Sequence, residues 1–226
     1  LALSLGIDRI HDYLQNFGFG QASGIDIQGE LSGLLPSRSW KRARHDQPWF
    51  PGETLITGIG QGFFLVTPVQ LATATAALAI GGRLLQPNIV YAEQEANSDD
   101  LLPHQPRIHD TITVKEQQHW DAVIKSMTAV VHSARGTARK IGEDSPWTIA
   151  GKTGTAQVYG LKQEEKYDAE AIPEELRDHA LFVAFAPVEE PKIAVAVIIE
   201  HGGGGGSVAA PVARDILDAY LQSSPP

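Results

Sequence analysis

The sequence lacks several features that would point to particular classes of protein. None of its 226 residues is a cysteine, which excludes a disulfide framework and a thiolate metal site. Acidic residues outnumber basic ones by 27 to 18, and the resulting net charge of −9 argues against nucleic acid or an anionic lipid surface as a main partner. The longest apolar runs, residues 71–80 and 193–199, are shorter than the roughly 18 to 20 residues that a membrane span needs.

The first residues carry neither an initiator methionine nor a signal peptide. We therefore expect any membrane anchor or export signal to lie upstream of Leu1. The length and the 42% of hydrophobic residues allow one domain with a sizeable core. His104 and His109 have no carboxylate at the spacing of a zinc site, which favours solvated histidines. We expect neither a metal nor a cofactor.

The most informative stretch is residues 147–157, an apolar run that opens into Lys152-Thr153-Gly154-Thr155. The run is rich in β-forming residues and predicts a buried strand, while Gly151 and Gly154 lack the Cβ that would keep a ligand off the main chain. A carboxylate could lie against Lys152 and the hydroxyls, and a reacting carbonyl could receive a backbone N–H from the same strand. This arrangement would be half of an acyl-transfer site, although a short motif of this kind also occurs by chance as a lysine at a strand end.

Other segments make the motif more specific. Lys-Thr-Gly is the third motif of penicillin-binding proteins and class A β-lactamases. In this chain it follows Gly-Ile-Gly-Gln-Gly at residues 58–62 and Thr-Pro-Val-Gln-Leu-Ala at residues 67–72. Together these segments closely resemble the penicillin-binding transpeptidases, and the resemblance covers essentially the whole chain. Three more segments are similar to the elongation-type class B enzymes, the penicillin-binding protein 2 group: residues 24–26, 35–41 and 177–187.

The resemblance implies a fold, an activity and a set of site residues. The fold would be α/β in the α+β sense, an antiparallel sheet between helical layers as in serine β-lactamases. The activity would be D,D-transpeptidation of peptidoglycan stem peptides through an acyl-enzyme, with β-lactams as substrate mimics and membrane proteins of the elongation machinery as partners. Lys152 and the hydroxyls of Thr153 and Thr155 would hold the terminal carboxylate, Gly154 would allow close approach, and the Thr155 N–H would donate to the oxyanion. The location would be the periplasmic face of the inner membrane.

One departure from the family pattern is decisive for the domain prediction. No serine in the chain begins a Ser-x-x-Lys motif, and no Ser-x-Asn or Tyr-x-Asn triplet occurs; Ser98-Asp99-Asp100 lies in a polar loop and is a poor match. In the family both motifs precede the region that resembles Leu1 onwards. We therefore expect residues 1–226 to be the C-terminal part of a single transpeptidase domain, with the first two strands of its sheet supplied by upstream sequence.

Alternative functions remain open at this point. A D,D-carboxypeptidase or a serine β-lactamase uses the same motif but transfers the acyl group to water, and a binding or scaffold domain could retain the fold without the chemistry. Two segments are also ambiguous. The basic cluster Lys41, Arg42 and Arg44 could be a solvated loop or a contact for an anionic glycan. The charged insertion at residues 161–178 could be a surface excursion or a lid.

Periodicity predicts the other elements. Ile7, Ile10, Leu14 and Phe17 indicate a helix that ends at Gly18, followed by an irregular region up to Pro51. Thr67 and Gln70 form a capping box for a second helix, and Thr113 and Glu116 one for a third. Residues 87–106 read as an extended or loop connection. Two apolar runs, residues 180–186 and 193–199, predict a hairpin, and a glycine turn at 202–206 leads into a last helix. The expected buried positions are Trp120, Val123, Ile124, Met127 and Val131 in the third helix, and Val212, Ile216, Leu217 and Tyr220 in the last.

Overall fold

The computed structural model describes residues 1–96, 100–158 and 172–223. These residues form two compact units, the first of residues 1–77 and 82–113, the second of residues 78–81 and those from 114 onward. The expectation that the whole chain is one part of a single domain stays a prediction. None of the helices in the described ranges is both long and apolar enough to cross a bilayer.

Helices supply most of the regular secondary structure of the first unit. Its helices are α1 (Ala2–Leu5), α2 (Ile7–Gln15), α3 (Arg38–His45), α4 (Pro51–Thr57) and most of α5 (Pro68–Ala79). Two antiparallel strand pairs complete it: β1 (Arg83–Gln86) with β4 (Arg107–Thr111), and β2 (Ala92–Gln94) with β3 (Leu101–Pro103). The predicted extended connection at residues 87–106 therefore contains strands, whose pairing the polar sequence did not reveal.

The capping box of α5 is confirmed and has a second role. The backbone N–H of Gln70 donates to the Thr67 hydroxyl at 3.2 Å, and the Thr67 N–H donates to Gln70 Oε1 at 2.9 Å. The Gln70 side chain is buried, and its Nε2 donates to the carbonyls of Gln21 (2.7 Å) and Ser32 (2.8 Å). The residue that caps the helix thus also fastens the irregular segment before it.

Residues 38–45 form helix α3, so the prediction of an irregular region up to Pro51 is wrong for them. The Ser37 hydroxyl caps this helix by accepting from the Trp40 N–H at 3.1 Å. The helix has only two turns and buries Lys41, so the sequence shows no apolar stripe. The interpretation of Lys41, Arg42 and Arg44 as a solvated cluster is wrong for Lys41. Its side chain is 2% exposed and paired with Glu53, whereas Arg42 and Arg44 are exposed.

The second unit is built on a three-stranded antiparallel sheet. Its elements in chain order are α6 (Gln117–His132), β5 (Ala150–Ala156), β6 (His179–Ala186), β7 (Ile193–Ile199) and α7 (Ala210–Ser223), and the strand order is β5-β6-β7. The predicted hairpin is β6 and β7. The predicted antiparallel sheet with helices against it is confirmed.

Helices cover both faces of this sheet. On one face, Phe182 and Ala184 of β6 pack in a core with Ala213 and Leu217 of α7. On the other face, Phe185 of β6 and Ala150 of β5 form a smaller cluster with Met127 of α6. The two faces follow the alternation of side chains along β6.

Two helix predictions need correction. Helix α6 begins after Glu116, which is its N-cap without a side-chain capping bond, so the predicted box with Thr113 is wrong. Val123 is 44% exposed, while Trp120, Met127 and Val131 are buried as expected. In α7 the buried stripe is Ala210, Ala213, Leu217 and Leu221, and the larger Val212, Ile216 and Tyr220 are exposed. The prediction is correct for Leu217 and wrong for Val212, Ile216 and Tyr220, because the two alanines of the stripe lie where α7 meets the sheet.

Candidate active site

The Lys-Thr-Gly-Thr segment lies in β5, as the sequence predicted. Lys152 and Thr155 are exposed, and Thr153 and Gly154 are half-buried. Among the described residues, β6 is the only strand that pairs with β5, in a register that places Lys152 opposite Val183 and Thr155 opposite Ala180. The four site residues therefore lie along the edge of the sheet.

The peptide groups of β5 alternate between this edge and β6. In an antiparallel pair, the N–H and C=O of one residue point to the same side, and the side alternates from residue to residue. The N–H of Ile149, immediately before the strand, donates to Nε2 of His132 at 2.9 Å. Ile149 therefore points away from β6, and so do the peptide groups of Gly151, Thr153 and Thr155.

A second contact gives the same result from the other side of the sheet. The Ala186 carbonyl, at the end of β6, accepts from the Lys192 N–H at 3.0 Å on the side of β7. Its neighbour Phe185 must then face β5, where it lies opposite Ala150. By alternation Lys152 and Gly154 bond to β6, which confirms the direction assigned to Thr153 and Thr155.

Lys152 and Thr153 are joined by contacts at this edge. Lys152 Nζ donates to the Thr153 carbonyl. The Thr153 hydroxyl lies 3.0 Å from the hydroxyl of Thr137, a residue in the turn after α6. The ammonium and two hydroxyls are thus held on one short stretch of the edge, and together they can bind an anion.

Glycines bring three chain segments together around β5. A Cβ on Gly205 would lie 2.2 Å from the Leu181 carbonyl oxygen and 2.4 Å from that of Gly154, so Gly205 sits directly over a bonded pair of β5 and β6. A Cβ on Gly206 would lie 2.2 Å from the Thr137 carbonyl oxygen. The predicted glycine turn, whose Gly205 and Gly206 begin a π-helix (Gly205–Ala209) directly before α7, therefore packs against β5.

Gly151 and Gly154 differ in what occupies the space where a side chain would lie. At Gly151 a Cβ would lie 2.5 Å from Cζ of Phe182, so this glycine is needed for packing of the core. The expectation that its main chain also leaves room for a ligand stays a prediction. At Gly154 a Cβ would lie 3.2 Å from Cβ of Leu181, a contact tighter than most side chains make.

A histidine and a carboxylate from neighbouring segments lie at the start of β5. Nε2 of His132, the last residue of α6, accepts from the Ile149 N–H. The pKa of Glu189, which lies between β6 and β7, is lowered first by a bond from its own backbone N–H and then by one from the Thr148 hydroxyl. These groups hold the strand entry at the end away from Thr155.

Sequence reasoning missed Thr137, His132 and the supporting role of Gly205 and Gly206. No periodicity links these residues to the motif, since they meet β5 only through the fold. The one signal available was a hydroxyl next to a glycine between a helix and the motif. Gln61 of the Gly-Ile-Gly-Gln-Gly segment lies in the first unit, where its N–H donates to the Ile56 carbonyl at 3.1 Å.

The insertion after the motif is only partly described. Residues 161–171 lie outside the described residues, so the lid hypothesis is not tested. The described end contains a short 3₁₀ turn at Glu174–Leu176, followed by Asp178, whose side chain is buried. The Asp178 carbonyl accepts from the Gly203 N–H at 2.8 Å, so this end of the insertion is fixed to the glycine turn. His104 and His109 are exposed, and the described part of the chain contains no group of three or more metal-ligating side chains.

Comparisons with known proteins agree on one family. The model of the penicillin binding protein transpeptidase domain matches residues 1–218. Peptidoglycan D,D-transpeptidase MrdA of Haemophilus influenzae is 42% identical over 227 residues, which cover 100% of this chain and 34% of that protein. The chain thus spans about a third of the length of this curated relative.

Solved structures give the same result at the level of the fold. The crystal structure of Pseudomonas aeruginosa PBP2 in complex with WCK 5153 matches with a TM-score of 0.80 and 45% identity, covering 99% of this chain and 46% of that one. The PBP2 of Helicobacter pylori in complex with MreC matches with a TM-score of 0.79 and 32% identity, covering 98% and 37%.

Proposed function

Because this chain belongs to the penicillin-binding protein transpeptidase family, we propose that the full-length protein is a D,D-transpeptidase that cross-links peptidoglycan stem peptides during cell elongation. The observation that carries the proposal is the Lys-Thr-Gly-Thr segment on the edge of the sheet, with an ammonium, hydroxyls and edge-directed peptide groups on one strand. The chain spans about a third of the relative's length and contains no Ser-x-x-Lys motif, so the proposed reaction would take its serine from elsewhere in the protein.

The residues of β5 would bind the donor stem peptide through its terminal carboxylate. Lys152 and the hydroxyls of Thr153 and Thr155 would contact the carboxylate, with the bond to Lys152 charge-assisted and worth about 1.5–3 kcal/mol. The N–H of Thr155 points to the edge at which the peptide would lie. It would donate to the carbonyl oxygen of the scissile bond, where one such donor contributes about 10²- to 10³-fold in rate.

The covalent steps would use a serine from outside this chain. Its oxygen attacks the penultimate D-Ala carbonyl, the tetrahedral intermediate collapses, and the terminal D-Ala leaves with the proton on its amine. An amine of a second stem peptide then attacks the ester and restores the serine. A β-lactam would enter the same path with its ring amide in place of the scissile bond and its carboxylate on Lys152.

The alternatives differ in the acyl acceptor or in the absence of chemistry. In a D,D-carboxypeptidase or a β-lactamase, water would take the acyl group. In a scaffold domain, no acyl-enzyme would form. The name of the Haemophilus relative and its identity along the whole chain favour the transpeptidase.

The location and partners follow from the same proposal. We place the domain at the periplasmic face of the inner membrane, held by an upstream anchor. The Helicobacter neighbour was solved with MreC, which supports an elongation-machinery membrane protein as partner. The net charge of −9 gives no support to nucleic acid.

The test is acylation of the full-length protein by a labelled penicillin, followed by a cross-linking assay with stem-peptide substrates. Lys152→Ala should slow acylation about 10- to 100-fold because the carboxylate loses a charge-assisted bond. Lys125→Ala removes another exposed lysine of the same unit and should leave the rate unchanged. An unchanged rate in Lys152→Ala would disprove the assignment of the carboxylate site. Acylation without cross-linking would favour a water-using enzyme.

A further inference from the structure

We propose that Thr137 is a positioning residue of this site, which orients the Thr153 hydroxyl toward the carboxylate of the ligand. The inference rests on the proposed function, because it assigns a role in binding that carboxylate. Its geometric basis is the 3.0 Å distance between the two hydroxyl oxygens. Thr137 precedes Thr153 by 16 residues and belongs to a different segment, so this contact is made by the fold.

The turn that carries Thr137 is fixed on both sides. Helix α6 ends at His132, and the Ala138 N–H returns to donate to the Val130 carbonyl at 3.0 Å. Gly136 lies so close to this helix end that a Cβ would be 2.3 Å from the Val130 carbonyl oxygen. Ala138 is 1% exposed. The backbone at Thr137 therefore has little room to move, although its side chain is exposed.

A third segment closes the arrangement. The Thr137 carbonyl lies against Gly206, where a Cβ would approach it to 2.2 Å. The same Cβ would be 3.4 Å from Cγ2 of Thr153. The glycine turn thus fills the space behind both threonines and sets the separation of their hydroxyls.

The hydrogen-bond capacity of a hydroxyl decides the direction of the contact. Each hydroxyl has one donor and two acceptor sites, and an ionised carboxylate can only accept. If Thr153 donates its proton to the carboxylate, it can only accept from Thr137, which must then be the donor. The Thr137 bond holds the Thr153 hydroxyl in the productive rotamer and polarises its O–H.

This role makes a prediction that a direct contact does not. A residue that acts through Thr153 has no effect once the Thr153 hydroxyl is gone. A residue that binds the carboxylate by itself keeps its effect in that background. A residue that only supports the turn changes the melting temperature and affects all ligands alike.

The experiment measures acylation rates of the full-length protein with a labelled penicillin and with its methyl ester, which lacks the ionised carboxylate. The variants are Thr137→Val, Thr137→Ser, Thr153→Val, the double valine variant and Lys152→Ala. Thr137→Val should slow acylation by the free acid about two- to tenfold, with little effect on the ester and no change in melting temperature. Thr137→Ser should restore the rate, and the Thr137 effect should vanish in the Thr153→Val background.

Three results would overturn the proposal while leaving the proposed function standing. They are additive effects of the two valine substitutions, equal slowing of acid and ester by Thr137→Val, and no effect of Thr137→Val beside a clear effect of Thr153→Val. If Thr153→Val and Lys152→Ala both acylate at the normal rate, the carboxylate site itself is misassigned and both proposals fail.

Discussion

The buried ion pair between Lys41 and Glu53 predicts a strong asymmetry between the two possible deletions. The Lys41 side chain is 2% exposed and that of Glu53 is 21% exposed, and Lys41 Nζ donates to Glu53 Oε1. Lys41 Nζ also lies 4.4 Å from the ring centroid of Phe50. Water can reach the carboxylate but hardly reaches the ammonium. Removing the carboxylate therefore costs more free energy of folding than removing the ammonium, because the buried charge of Lys41 is left unbalanced.

Glu53→Gln should therefore destabilise the first unit by up to about 3–5 kcal/mol, because the amide oxygen can still accept from Lys41 but no longer balances its buried charge. The ring of Phe50 offsets about 0.5–2 kcal/mol of this at most. Lys41→Met should cost clearly less, because a hydrophobic chain of similar length replaces the lysine and Glu53 keeps the 2.8 Å bond from the Phe50 N–H.

Amide hydrogen exchange of the full-length protein is a suitable assay, since it reports on α3 and α4 separately from the rest. A loss of 3–5 kcal/mol corresponds to faster exchange in these helices by about two to three orders of magnitude or more. The double variant Lys41→Met with Glu53→Gln is the control for the lost pair. If Glu53→Gln costs no more than Lys41→Met, burial of the ammonium is not the controlling term.

The same pair predicts a pH dependence. Burial acts to raise the pKa of Glu53. The hydrogen bonds from Lys41 and the Phe50 N–H, together with the charges of Lys41 and His45, lower the pKa by more than burial raises it. The net shift is therefore downward from 4.5. A carboxyl with a lowered pKa in the folded state stabilises the fold above its unfolded value. That stability should be lost as the pH falls below about 4.5 toward the folded pKa, and Glu53→Gln should remove the dependence.

Three further predictions address the second unit. Gly205→Ala should destabilise the full-length protein by about 1–3 kcal/mol or more in chemical denaturation, because the added methyl meets backbone oxygens at 2.2 and 2.4 Å. The control Gly52→Ala, whose methyl would have no atom within 4 Å, should be neutral or stabilising. The outer edge of β7 (Ile193–Ile199) should be covered by upstream strands of the full-length protein, so its amides should exchange slowly in that protein. In the 226-residue chain alone the same amides should exchange fast and the chain should aggregate. Equal exchange rates would show that the upstream strands do not pair with β7. The chain alone should form no covalent penicillin adduct in mass spectrometry, and a stable adduct would reveal a nucleophile within it.

Local signals were sufficient for the elements that carry the site. The strand at Lys152 and the apolar hairpin β6–β7 were predictable because continuous β-forming runs have few other solutions. The capping box at Thr67 and Gln70 was also correct, since both bonds are made within three residues. The capping bonds and the β6–β7 pairing join residues that are close in sequence, and the strand at Lys152 was indicated by its own run of β-forming residues although its partner β6 is distant.

The errors arose where tertiary contacts decide. Lys41 is buried because Glu53 and aromatic rings meet it, which no local pattern could show. The stripe of α7 was misread because small residues, among them Ala213, face the sheet while Ile216 faces outward. The role of Thr137 depends on a contact across 16 residues. Composition and periodicity carry no information about such tertiary contacts.

The glycines beneath β5 also limit how this site can change over time. At Gly205 and Gly206 the space for a side chain is occupied by main-chain oxygens at 2.2 Å, and main chain cannot adapt by changing rotamer. Random substitution there damages the fold before it alters recognition. Substitutions that keep the fold are therefore expected at exposed side chains around β5, such as Thr137, and not at the two glycines. A survey of folded variants should find Gly205 and Gly206 intact even where exposed positions have changed.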